Sequence, residues 1–173
     1  YVVKEAPLYL IEEEERSKKN GDRILPWTDF SEFQKRLIAL QKQWEAEIPS
    51  EVKFAFLDRS LIDPIAYILN KGEVIPNELK ESIIQANYYL AFFLEMLPKA
   101  YWSRTKNGRP RMIPYDEAVK IHGEIKKSYE MFGIPIIDIP HLNFKNLNLA
   151  DGEVESKQIL ARVNLIEEFL IDK

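Results

Sequence analysis

The chain has 173 residues, enough for one α/β domain with a sizeable core and too few for two ordinary ones. Hydrophobic residues make up 46% and charged residues 30%, which excludes wholesale disorder, and the net charge of −4 supplies no basic field for a nucleic-acid backbone. The absence of cysteine removes disulfides, thiolate zinc sites and cysteine nucleophiles together, and the histidines, His122 and His141, stand too far from any partner motif to suggest a histidine metal site.

No apolar run approaches the ~20 residues of a membrane span, and no signal-peptide pattern opens the chain. A cytoplasmic location is the expectation. Abundant Glu, Lys and Ile, with prolines at segment boundaries, match the composition of thermophilic proteins.

In chain order, Tyr1-Val2-Val3 opens a β-like run over 1–5 that ends at Glu5. A start inside such a run, without methionine, reads as a cut into a longer chain. A short helix is expected over 8–20, with Leu8 to Ile11 apolar and a solvated charged end from Glu12 to Lys19. Pro26-Trp27-Thr28-Asp29 announces a second helix, with Thr28 or Asp29 as its cap. Phe30, Phe33, Leu37, Leu40 and Trp44 then recur at helical spacing to about Ile48, and Trp27 and Trp44 are read as core.

Val52 to Leu57 is the best strand candidate and ends in Asp58-Arg59-Ser60. Helices over 60–70 and 77–87 follow, the second capped by Asn77, and a buried strand is expected over 88–95. Ser103 to Arg111 is polar and carries Arg104, Lys106, Arg109 and Arg111, so 103–114 reads as a mobile, lid-like basic loop. An amphipathic helix over 116–132 turns Ala118, Ile121, Ile125 and Tyr129 inward, with Gly133 as its C-cap. Ile134 to Ile139 is a further strand, and a final helix near 154–171 has Val154, Ile159, Val163, Ile166 and Leu170 as its apolar residues.

Short strands that are apolar on both faces, alternating with helices, predict a parallel sheet covered by helices on both sides in a single α/β domain over 1–173. Ligands of such sheets bind beyond the carboxyl ends of the strands, a rule that selects Glu5, Asp58, Arg59, Glu95 and Asp138. Asp58 either holds Mg²⁺ against the phosphates of a nucleotide or caps the helix that follows. Asp63 either orients Arg59 or caps a turn. Arg104, Arg109 and Arg111 have the planar geometry for bidentate phosphate contacts, or they make a solvated loop basic. Glu5 could accept a hydrogen bond from a substrate hydroxyl or act as its base, or be an ordinary strand-end acid. His122 reads as a packed core-edge residue, and His141 has no evident partner.

Glu5-Ala6, then Leu25-Pro26-Trp27-Thr28-Asp29 with Phe33-Gln34-Lys35-Arg36, then Phe56-Leu57-Asp58-Arg59-Ser60 with Asp63-Pro64 and Ala66-Tyr67, occur in an order and spacing that resembles a known family. That family is the AAA-type predicted ATPases, P-loop NTPases allied to nicotinamide riboside kinase and to thymidylate and deoxynucleoside kinases. Ala118, Ile121-His122, Tyr129 and Phe132-Gly133, before a strand ending at Pro140, look like its helix after the lid and its last strand. The resemblance spans roughly residues 1–140.

The resemblance implies a three-layer α/β/α fold with a kinase-like strand order, and binding of ATP or GTP with Mg²⁺. It places Asp58 as the metal-side acid with Arg59 beside it, Glu5 as a substrate-side acid, and Arg104, Arg109 and Arg111 as the available lid arginines; Asp63 is grouped with Glu5 as a substrate-binding candidate, with a structural role favoured. The family's G-x-x-x-x-G-K-[ST] loop is absent from these residues, so it and the first, central strand are expected before Tyr1. Pro7-Leu8 stands where an arginine commonly follows Glu-Ala in the family.

Three functions fit this reading: a small-molecule, nucleoside-like kinase or NTPase, a nucleotide-dependent regulatory switch, and a non-catalytic binding or assembly module. The implied partners are a nucleotide and a small-molecule substrate, the charge argues against nucleic acid, and an oligomer is compatible. Without the central strand, exposed edges are expected to make residues 1–173 alone poorly soluble, oligomeric or rearranged.

Overall fold

Val2 and Val3 form β1 (Val2–Val3), which runs parallel to β2 (Phe56–Leu57) with Val2 opposite Phe56 and Val3 opposite Leu57. The computed structural model describes residues 1–17, 19–96, 98–99, 105–106, 109–110, 113–141 and 151–171. The chain divides into two units, Tyr1–Asn87 and Tyr88–Lys173.

In the first unit the crossover that a parallel pair requires consists of α1 (Ala6–Ser17), a 3₁₀ turn at Asn20–Asp22 and α2 (Phe30–Ala46). Asp29 caps α2, its carboxylate accepting the Glu32 N–H at 3.0 Å. Thr28 closes the turn before it, accepting from the Leu25 N–H at 2.9 Å and donating to the Arg23 carbonyl at 2.8 Å. Ala6 and Leu10 of α1 meet Phe33 and Leu37 of α2, flanked by Ile11, Ile24, Leu40 and Trp44. Trp27 falls outside this core and is 47% exposed, because it sits in the turn ahead of the cap rather than on the apolar face of α2.

The inward stripe of α1 continues one turn further, to Glu14, at the i, i+4, i+8 spacing of one helix face. Glu14 is therefore buried, not part of a solvated end. Its Oε1 pairs with Arg36 Nη1 at 2.9 Å and its Oε2 accepts the Ile24 N–H at 2.8 Å, which compensates the buried charge.

The second strand is shorter than 52–57, because Val52 donates to Pro49 in a turn and the ladder extends only along the two residues of β1. After β2 come α3 (Asp63–Asn70) and α4 (Asn77–Ala86), which bury Ile65, Ala66, Leu79 and Ile83. The cap of α4 is Pro76 rather than Asn77, since the Leu79 and Lys80 N–H groups both donate to the Pro76 carbonyl.

In the second unit β3 (Ala91–Leu94) runs parallel to β6 (Ile136–Ile139), with Ala91 opposite Ile136 and Leu94 opposite Ile139. Within the basic segment between them, β4 (Thr105–Lys106) and β5 (Arg109–Pro110) pair antiparallel, Lys106 opposite Arg109. The sequence signal for this hairpin is the Asn107-Gly108 dipeptide. Successive strand residues face opposite ways. Phe93 accordingly meets His122 of α5 (Tyr115–Met131), with ring centroids 4.3 Å apart, and Phe92 meets Phe169 of α6 (Asp151–Ile171) edge-on at 5.7 Å. The inner face of α5 carries Ile121, Ile125 and Ser128, with Ala118 and Tyr129 half-buried.

The buried face of α6 differs from the one expected: Ile159 is 60% exposed and Val163 is 42% exposed, while Arg162 is buried. Apolar residues occur on several sides of this helix, so their period does not single out one face. Hydrogen bonds of Arg162 to the strand ends accompany the observed rotation.

Candidate functional site

At the carboxyl end of the β1–β2 pair, the chain leaves β1 and enters α1 at Glu5, whose carbonyl accepts the Tyr9 N–H at 3.3 Å. The Asp58 N–H donates to the Val3 carbonyl at 3.0 Å, which carries the ladder one step past Leu57. Asp58 emerges there exposed to solvent.

Arg59 then adopts φ +86°, a left-handed conformation that carries a cost of ~1 kcal/mol or more for a residue with a Cβ. Its carbonyl accepts a hydrogen bond from Gln41 Nε2 at 3.2 Å. Gln41 is 1% exposed, and the same nitrogen donates to Glu45 Oε1 at 2.8 Å.

Ser60-Leu61-Ile62-Asp63 closes the turn that leads into α3 with reciprocal hydrogen bonds, a pattern legible in the sequence as Ser-x-x-Asp before an apolar helix. Asp63 Oδ2 accepts the Ser60 N–H at 2.9 Å and the Ser60 hydroxyl at 3.4 Å, while the Ser60 hydroxyl oxygen accepts the Ile62 N–H at 3.0 Å. The other carboxylate oxygen, Oδ1, pairs with Arg59 Nη1 at 3.2 Å, and Arg59 Nε lies 3.8 Å from Glu5 Oε1. Glu5, Arg59 and Asp63 thus come together as one charge cluster.

Burial works against the Arg59 charge, but Asp63, Tyr67 and Glu5 outweigh it and hold the guanidinium pKa above its ordinary value. Burial also raises the Tyr67 phenol pKa, Arg59 opposes the rise, and Asp63 and Glu5 reinforce it. Arg59 therefore stays protonated and Tyr67 neutral at physiological pH. The strand-end rule selects Glu5 and Arg59 of this cluster; Asp63 is a separate sequence candidate, and Gln41, Ser60 and Tyr67 are not among the candidate site residues read from the sequence.

Among the described residues no three metal-ligating side chains converge, so this end of the sheet offers a cation the Asp58 carboxylate and no closed cage. Such a donor set fits Mg²⁺ arriving with nucleotide phosphates, since Mg²⁺ keeps several waters and takes one or two carboxylates from the protein. It does not fit a free-standing metal site.

At the carboxyl end of the β3–β6 pair, Arg162 Nη2 donates to the Glu95 carbonyl at 2.6 Å and Arg162 Nε to the Pro140 carbonyl at 3.2 Å. Glu95 Oε2 in turn accepts the His141 N–H at 2.7 Å. Burial, then the Arg162 charge, lower the His141 pKa against an opposing Glu95. Asp138 faces outward and pairs with Lys126 at 2.6 Å. Arg104 and Arg111 lie outside the described residues, and Arg109 is placed by its main chain in β5.

Neither the curated proteins nor the solved structures give a match to this chain. A family model described as an AAA domain matches residues 1–146, a span that includes both parallel pairs and the Asp58 turn. The mixed α/β architecture, with its short parallel pairs and covering helices, agrees with a P-loop NTPase-like fold in general. The chain belongs to the AAA domain family of P-loop NTPase-like, nucleotide-binding proteins.

Proposed function

We propose that the protein is a Mg²⁺-dependent ATP- or GTP-binding enzyme of the small-molecule kinase type, acting on a nucleoside-like acceptor within a three-layer α/β/α domain. The observation that carries this reading is Asp58, solvent-facing at the carboxyl end of a parallel strand on a turn held in a left-handed conformation. In this reading Asp58 would hold Mg²⁺, directly or through water, and the ion would neutralise charge on the nucleotide phosphates. Arg59, bound to Asp63 and Glu5, sets the orientation of Glu5 toward a substrate hydroxyl. Arg104, Arg109 and Arg111 are the cations available to offset charge on a transferred phosphoryl group. The pattern G-x-x-x-x-G-K-[ST] does not occur in these 173 residues, and the proposal is made for a protein that carries such a loop together with them.

Calorimetric titration of the intact protein with ATP and GTP, with and without Mg²⁺, tests the binding step. Expected is saturable binding that tightens with Mg²⁺; no binding of either nucleotide would overturn the reading. A nucleoside screen with mass-spectrometric product detection then tests transfer. Slow hydrolysis with no phosphorylated acceptor would favour a regulatory NTPase instead.

A further inference from the structure

We infer that Gln41, remote in sequence and fully buried on α2, is a positioning residue for Asp58. The inference rests on the metal-side reading of Asp58 above. A turn that places a non-glycine residue at φ +86° persists only if its surroundings hold it there. Two side chains do so. Asp63, the first residue of α3, holds the far side through the Ser60 N–H and the Arg59 guanidinium. Gln41 holds the near side, at the Arg59 carbonyl itself.

That carbonyl belongs to the peptide between Arg59 and Ser60, so its direction reports the Arg59 ψ angle. Releasing it lets Arg59 relax toward φ below zero; the Asp58 N–H stays paired to the Val3 carbonyl, so the relaxation falls on the Arg59 peptide immediately after Asp58 and loosens the C-terminal support of its carboxylate. Gln41 suits this task because its amide is itself oriented: Glu45 Oε1, one helical turn along at i+4, takes the second N–H. The side chain has almost no solvent exposure in which to lose its direction. Gln41 touches neither nucleotide nor acceptor in this scheme and acts only through the Arg59 peptide.

The test compares ATP affinity with and without Mg²⁺, and amide hydrogen exchange at Ser60, in the intact protein. The variants are Asp58→Asn, Gln41→Met and Glu45→Ala. Gln41→Met is expected to reduce the Mg²⁺-dependent gain in affinity about fivefold, the loss of roughly one modest hydrogen bond. The Mg²⁺-free affinity should stay within about twofold of wild type, whereas a merely structural role would lower both. Ser60 exchange should quicken in Gln41→Met.

If Asp58→Asn abolishes the gain while Gln41→Met retains it in full, the positioning inference is overturned. If Asp58→Asn leaves the gain intact, or ATP does not bind, the metal-side reading fails. The Ser60 exchange rates then decide separately whether Gln41 holds the turn. Should Gln41→Met not fold, Glu45→Ala frees the same amide from the half-buried end of the contact. An unchanged gain and unchanged Ser60 exchange in that variant would equally overturn the inference.

Discussion

Replacing Asp63 separates the hydrogen-bonding work of its carboxylate from its charge. The side chain accepts the Ser60 N–H at 2.9 Å and pairs with Arg59 at 3.2 Å. In Asp63→Ala the Ser60 N–H, on a residue only 6% exposed, loses its acceptor, which costs ~1–3 kcal/mol. Arg59 loses a partner as well. Its side chain is 35% exposed, so solvent screening limits that part to ~1 kcal/mol rather than the ~3–5 kcal/mol of a fully buried pair. The expected total is about 3 kcal/mol. Asp63→Asn keeps an oxygen for Ser60 and gives up only the charge, for about 1 kcal/mol. Urea unfolding followed by tryptophan fluorescence in a Trp102→Phe background, which leaves Trp27 and Trp44 of the first unit as the emitters, reads the difference. With a slope of ~2 kcal/mol per molar, the midpoint should fall by ~1.5 M for alanine and ~0.5 M for asparagine. Equal losses for the two variants, or an alanine midpoint within ~0.2 M of wild type, would refute the reasoning.

Ile65 is fully buried in α3, so Ile65→Ala should destabilise the first unit by about 3 kcal/mol through lost apolar contact and the cavity left behind, checked by the same urea titration. The His141 imidazole has its pKa lowered below the ordinary 6.5 by burial and by Arg162. The unfolded chain therefore binds the proton more readily, and the stabilisation is present above pH 6.5 and lost as pH falls through the lowered value. Unfolding midpoints between about pH 7.5 and 5 should decline more steeply in wild type than in His141→Gln. An identical decline would remove His141 from the account.

The strand-end rule selects Asp58 and Glu5 from the residue pattern alone, because a buried apolar run has to end somewhere polar. Helix spans are equally legible, and so is the Asp29 cap, since capping joins groups three residues apart. The Ser60-Leu61-Ile62-Asp63 turn is written just as locally, in a short signature that the longer strand and helix patterns around it overshadow.

Other features need partners distant along the chain. Glu14 reads as one of four consecutive solvated acids until α2 brings Arg36 to it from 22 residues away. The apolar residues of α6 do not specify a face, and the observed one includes Arg162, which reaches carbonyls on β3 and beyond β6. Gln41 has the composition of any polar helix residue, and only the packing of α2 beside the Asp58 turn gives its amide a carbonyl to hold. The sequence by itself determined the helices, the family and the acid at the strand end, because these depend on hydrogen bonds and periodicities within a few residues, while the extent of β2 and the β4–β5 pair depend on which strands meet. Tertiary structure decided which polar groups are buried and how the Asp58 turn is held, because burial and the pairing of charges depend on segments that meet only after the chain has folded.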